Sequence, residues 1–247
     1  MKNPIIILHG WSVSLVSSKE KYQQTISILE EKGYQVFAPD LPGFGKNQLK
    51  KEELFFDDYV SFVHEYTKTI LKKTKNKKVI LIGHSFGGRI AIKFASLYPS
   101  LIAALVLTGA SGVLGENGSL KVKILSYLTR LIKPIFYFPL VSSFYIPLRK
   151  ALYLAIGELD YLKSGPLSKT FKNIYKVSIK NDLTNISVPT LIIWGMEDKV
   201  TPLSNGILIQ AKIPNSKLIV IPEASHKLPY ENANDFTSNI ISFINNP

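Results

Sequence analysis

Cysteine is absent from this 247-residue sequence. That removes disulfides and thiolate metal sites together. Histidine is scarce as well. His9, His64, His84 and His226 stand far apart and show no metal-ligand spacing, so no metal and no other cofactor is expected. Acidic residues number 18 against 30 basic ones, a formal charge of +12 at pH 7. Such an excess invites an anionic partner, either nucleic acid or a membrane surface. Arginine, however, is nearly missing: Arg89, Arg130 and Arg149 are all there are. Base readout leans on the forked arginine contact, so nucleic acid is not an expected partner, and the scattered lysines read as a solvated surface. Long apolar runs are lacking too. Pro4–Leu8 is too short for a signal-peptide core and no small-residue cleavage site follows it, so the expected setting is the cytoplasm. Nothing in the composition sets an oligomeric state.

What the sequence does have is alternation. Short apolar runs that suit strands lie at Pro4–Leu8, Tyr34–Ala38, Val79–Ile82, Ala103–Leu107, Pro189–Trp194 and Lys217–Ile221. Between them are helical patterns: Lys19–Lys32 behind a Ser17 or Ser18 cap, a long helix from Asp57 or Asp58, one from about Ile90 to Leu97, then Leu203–Ile213 and Ala233–Asn245. Strands alternating with helices imply a mostly parallel, doubly wound six-stranded sheet with right-handed crossovers. The alternation stops between Gly112 and Asp182, where helical fragments are broken by Pro134, Pro139, Pro147 and Pro166. Residues 1–111 and 183–247 are therefore expected to form the α/β core, and 112–182 a helical cap inserted after the fourth strand. The cap's apolar stretch Pro134–Pro147 is too short and too proline-broken to cross a membrane. Between 113 and 182 eleven lysines and arginines face four acidic residues, which offers an anionic membrane surface or substrate an electrostatic contact.

The third strand runs straight into Gly83-His84-Ser85-Phe86-Gly87-Gly88, a G-x-S-x-G turn followed at once by a helix. Strand, sharp turn and helix together give that pattern its chemistry: the serine sits on a strained turn with its hydroxyl out of the sheet. Glycines at 83 and 87 leave room for strand and helix to approach. A serine needs a base, and the base an orienting carboxylate. In an open parallel sheet such groups gather at the carboxyl ends of strands. After the fifth strand stand Glu197 and Asp198; after the sixth stands His226.

The chain resembles the α/β-hydrolase superfamily, of the capped esterase and carbon–carbon-bond hydrolase kind. The resemblance rests on His9-Gly10-Trp11, on Asp40-Leu41-Pro42-Gly43-Phe44-Gly45, on Gly83–Gly88, on Pro189–Pro202 and on Ala224–Glu231. It implies Ser85 as nucleophile, His226 as general base and then acid, and Asp198 rather than Glu197 as orienting acid. It also implies an oxyanion hole from the backbone N–H groups of Phe86 and Trp11, with the Trp11 ring walling the pocket. His9 and Gly10 would brace the oxyanion loop, and Glu231 would bond to loop backbone near His226. His84 would pack away from the reacting centre, Asp40 would be structural, and His64 would be unrelated. Serine at 85 sets the chain apart from epoxide hydrolases and haloalkane dehalogenases, which use aspartate there. Two departures stand out. The family's N-terminal β-hairpin is missing, and Ser225 replaces the usual glycine before the histidine. The implied reaction is hydrolysis of a small, mainly apolar carboxylic ester. Carbon–carbon cleavage of vinylogous diketones, thioester cleavage and a binding protein with little turnover share the same residues.

Overall fold

The computed structural model describes residues 2–11, 16–48, 53–113 and 167–245. Most of the expected cap, 114–166, lies outside them. Six strands form one sheet: β1 (Ile5–Leu8), β2 (Val36–Phe37), β3 (Val79–His84), β4 (Ile102–Thr108), β5 (Thr190–Gly195) and β6 (Ser216–Ile221). Their order is β2-β1-β3-β4-β5-β6, and every pairing is parallel. The expected strands are all present. β2 is shorter than its apolar run: only Val36 and Phe37 pair, opposite Ile5 and Ile6 of β1, and both are half-buried.

The period of two puts alternate side chains of each strand into separate layers. Ile6 and Leu8 of β1 join Leu81, Leu105 and Ile192 beneath α3 (Phe56–Thr74) and α4 (Phe86–Leu97). Ile5 and Ile7 join Ile80, Ile82, Val106 and Ile193 beneath α2 (Gln23–Glu31). Each fully buried aliphatic side chain in these layers contributes roughly 1.5–3 kcal/mol.

The helix expected over Lys19–Lys32 is broken in two, α1 (Ser18–Lys21) and α2. Ser17 caps α1, its Oγ accepting the Glu20 N–H at 3.3 Å. The break falls at Tyr22, whose φ of −101° and ψ of 18° leave the helical region. α3 starts one residue before its expected first residue, Asp57, and the Asp58 carboxylate accepts the Phe55 N–H from inside the first turn at 2.8 Å. Lys75, in the left-handed conformation, closes it. The remaining described α-helices are α5 (Ser168–Tyr175), α6 (Leu203–Lys212), α7 (Leu228–Glu231) and α8 (Ala233–Asn245).

Both described ends of the 112–182 stretch meet at α4. Ile179 N–H donates to the Gly112 carbonyl at 3.4 Å. Buried Arg89 donates to the Val177 carbonyl and lies over the Phe56 ring. One turn further on, Lys93 pairs with Asp182 at 2.8 Å, and Ser96 joins the same carboxylate. The helix that follows the candidate nucleophile therefore anchors the returning chain.

Among the described glycines the tightest approach is at Gly87 of α4, where an added Cβ would stand 2.2 Å from the Leu8 carbonyl oxygen of β1. Neither partner can give, since β1 and α4 are both core elements. Gly87→Ala is expected to cost about 3 kcal/mol, read as a lowered denaturation midpoint or loss of folded protein.

Candidate active site

The sheet order reverses between β1 and β3, so a crevice opens at their carboxyl ends. Ser85 occupies the turn out of β3 with φ 53° and ψ −115°, strained for a residue with a Cβ. Its carbonyl accepts the N–H of Arg89 at 3.1 Å, and its own N–H donates to the Thr108 carbonyl at 3.0 Å. Gly10, after β1, lies against it: a Cβ there would reach Ser85 Cβ at 3.0 Å. Phe86 is the first residue of α4. Among the described residues, neither the Phe86 nor the Trp11 backbone N–H donates to a carbonyl. The Trp11 ring packs edge-on against Phe44, Phe86 and Phe171, and the last of these comes from α5.

The loops after β5 and β6 bring Asp198 and His226 together. His226 Nδ1–H donates to Asp198 Oδ2 at 2.8 Å, and the Asp198 side chain is 2% exposed. Glu197, its neighbour in sequence, is exposed. Asp198 Oδ1 accepts two backbone N–H groups, from Val200 at 2.9 Å and Thr201 at 2.8 Å. Burial pushes the Asp198 carboxyl up, but the His226 bond and charge and the Thr201 donors outweigh it, so its pKa falls below the ordinary value.

Thr201 has no assigned role in the sequence reading, yet it sits at the centre of this contact. Its hydroxyl lies 2.8 Å from Asp198 Oδ2, 3.1 Å from His226 Nδ1 and 3.1 Å from the Gly109 carbonyl. Its own carbonyl accepts the indole N–H of the fully buried Trp194 of β5 at 2.9 Å. Gly109, with φ 54°, makes the room: a Cβ there would meet the His226 ring at 2.9 Å. The Ser85 hydroxyl makes no hydrogen bond among the described residues. A nucleophile–base contact of this kind commonly tightens only in the substrate complex.

His9 links two loops. Its Nδ1–H donates to the Gly10 carbonyl at 2.7 Å, and its Nε2 accepts the Leu41 N–H at 2.9 Å. Burial lowers its pKa to about 4. Asp40 is held in loop geometry, accepting the N–H groups of Ser18 at 2.6 Å and Lys46 at 2.9 Å. His84 does more than pack, since both of its ring nitrogens are bonded. Tyr22 O–H donates to Nδ1 at 2.6 Å, and Nε2–H donates to the His226 carbonyl at 2.9 Å. Glu231 bonds to side chains rather than to loop backbone, accepting from Ser225 Oγ at 3.0 Å and Lys227 Nζ at 2.9 Å. Positive φ at described non-glycine residues is confined to Lys75, Ser85 and Glu223. Ser225 thus takes an ordinary backbone conformation, and the loop does not require the family's glycine. His64 stacks on Tyr98 at 4.2 Å, remote in sequence and contacts from this set. Among the described residues no three histidines, aspartates or glutamates cluster to hold a metal ion, and no helix is long and apolar enough to cross a membrane.

A six-stranded parallel sheet with helices on both faces, a serine on a positive-φ turn after β3 and an Asp–His contact after β5 and β6 define an α/β-hydrolase. Within that superfamily the chain belongs to the Hydrolase_4 family, described as serine aminopeptidase, S33, whose profile matches residues 1–233. It is 26% identical to a 2-hydroxy-6-oxononadienedioate/2-hydroxy-6-oxononatrienedioate hydrolase of Klebsiella pneumoniae, over 98% of this chain and 87% of that one. It is 29% identical to a pimeloyl-[acyl-carrier protein] methyl ester esterase of Wigglesworthia glossinidia brevipalpis, over 90% and 86%. Among solved structures, a meta-cleavage product hydrolase of Pseudomonas fluorescens matches with a TM-score of 0.69 and 25% identity, over 99% of this chain and 91% of that one.

Proposed function

We propose that this hydrolase cleaves a small, mainly apolar carboxylic ester through an acyl-enzyme, with Ser85, His226 and Asp198 as its triad. The observation that carries the reading is the 2.8 Å bond from His226 Nδ1 to a buried Asp198, presented on the same sheet edge as the strained Ser85. That bond leaves Nε2 of His226 as the basic nitrogen. His226 takes the Ser85 proton while Oγ adds to the ester carbonyl. The carbonyl oxygen gains the negative charge and is held by the N–H groups of Phe86 and Trp11. Collapse expels the alcohol, which leaves with the proton from His226. Water, deprotonated by the same histidine, then releases the acid and restores Ser85. His9 and Gly10 hold the oxyanion loop, and Glu231 ties together Ser225 and Lys227 on either side of His226. Residues 112–182 act as the cap that shapes the substrate pocket and sheds water, in a cytoplasmic enzyme.

Carbon–carbon cleavage is the second reading, favoured by the name of the Klebsiella relative. The two separate in one experiment. Nitrophenyl esters of increasing chain length and a 2-hydroxy-6-oxo-dienoate are offered to wild type and Ser85→Ala. The expected result is Ser85-dependent turnover of the esters, at least ~100-fold above the variant, and a far slower dienoate reaction. Dienoate turnover exceeding that of every ester would overturn the ester assignment. Tight binding of both with turnover of neither would make the chain a binding protein.

A further inference from the structure

Beneath the candidate triad lies a polar chain that the reaction does not use. Tyr22 is 1% exposed and His84 2%. The carbonyl of His226 can only accept, so His84 Nε2 carries the hydrogen of that 2.9 Å bond. Nδ1 must then be bare, and it accepts from the Tyr22 hydroxyl at 2.6 Å. A Cβ on Gly10 would come within 3.4 Å of His84 Nδ1 and 3.0 Å of Ser85 Cβ. Tyr230, from α7, closes the cluster with its ring 5.6 Å from Tyr22 and 5.9 Å from His84. The sequential element under all this is broken at Tyr22 itself.

We propose that Tyr22 and His84 are a buried positioning pair that locks the backbone of His226 and the oxyanion loop at Gly10 into one register about Ser85. The proposal rests on the serine-hydrolase reading of the site. Asp198 fixes the His226 ring from its Nδ1 side, and His84 fixes the backbone that carries it. The pair works only in one tautomer. If the hydrogen moved to His84 Nδ1, the bare Nε2 would face a carbonyl, lone pair against lone pair, and the Tyr22 hydroxyl would lose its acceptor. The His226 carbonyl selects the working tautomer, and the Tyr22 hydroxyl supports it by donating to the bare Nδ1. The groups facing His84 are Tyr22, Tyr230, His226, Lys21 and Asp198. Burial and the charge of His226 lower the His84 pKa to about 3, so the ring stays neutral and places no cation beneath the base.

With only four histidines, the full chain suits 15N-histidine labelling, in which nitrogen shifts report tautomer and titration directly. Wild type is expected to show one non-titrating imidazole with its hydrogen on Nε2, absent from His84→Gln. Tyr22→Phe is expected to leave Nδ1 of His84 without its donor, shift that nitrogen's resonance, and lower kcat by about 10- to 100-fold with KM within about two-fold. His84→Gln, whose amide nitrogen falls near the Nε2 position, is expected to keep kcat within about five-fold of wild type, while His84→Leu falls with Tyr22→Phe. If both Tyr22→Phe and His84→Leu keep kcat while losing only stability, the pair merely packs and the proposal is overturned. If wild type has no Ser85-dependent turnover, the hydrolase reading fails. The His226 ring nitrogen shifts would then still decide the pair, moved in both Tyr22→Phe and His84→Leu if it positions His226 and unmoved in both if it merely packs.

Discussion

Ser85→Ala is expected to lower kcat on any substrate of this enzyme by about 10⁴- to 10⁶-fold and to abolish labelling by a fluorophosphonate. Under the proposed mechanism the variant forms no acyl-enzyme, and its residual rate would come from the oxyanion donors and the bound geometry alone. Steady-state kinetics and mass spectrometry of the labelled protein check both. The fold should survive, because the side chain of Ser85 makes no hydrogen bond among the described residues. The backbone at this position offers a second measurement. A φ of 53° with ψ −115° is strained for serine and for alanine alike. Ser85→Gly removes the Cβ that causes the strain, so it is expected to be more stable than Ser85→Ala by about 1 kcal/mol, a rise of roughly 2–4 °C in Tm. Equal midpoints for the two variants would mean that the turn is not held in this conformation by the surrounding sheet.

The order of strands and the elbow were legible because they depend on local chemistry. Val79–Ile82 can be little but a buried strand, and a glycine-flanked serine between strand and helix admits few conformations. Thr201 was legible only as a member of the Pro189–Pro202 block, without its contacts. Its importance arises from the Gly109 carbonyl after β4 and from His226 after β6, two loops that sequence separation hides. Tyr22 reads in sequence as one more apolar position on the stripe of Ile26 and Leu29. Only the approach of β3 turns its hydroxyl into a partner for His84, and only there does the expected single helix break. Ser225 shows the opposite limit. A family glycine suggests a special backbone, but with no positive φ at 225 the position accepts a side chain and uses it to hold Glu231 and the Lys227 N–H. Residue-level support around a site is set by what other strands bring, so it follows from topology rather than from motif.

Asp198→Asn should cost nearly as much as losing the nucleophile, about 10⁴-fold in kcat, while Glu197→Gln stays within about two-fold. The asparagine fits the same space and its Oδ1 still accepts the N–H groups of Val200 and Thr201. What fails is the proton inventory. An amide NH₂ facing His226 Nδ1 favours the tautomer with its hydrogen on Nε2, and that ring cannot accept a proton from Ser85. Stability against pH gives an independent check, because the Asp198 pKa is depressed in the folded chain. The folded state binds that proton more weakly than the unfolded one, so the stabilisation is complete above the ordinary carboxylate pKa and disappears as pH falls through the depressed value. The stability difference between wild type and Asp198→Asn is therefore expected to be flat above about pH 5 and to shrink below about pH 4, as read by denaturant titrations across that range. A difference that grows on acidification would place the carboxylate elsewhere than against His226. Retained activity in Asp198→Asn with loss in Glu197→Gln would move the orienting role to the exposed neighbour.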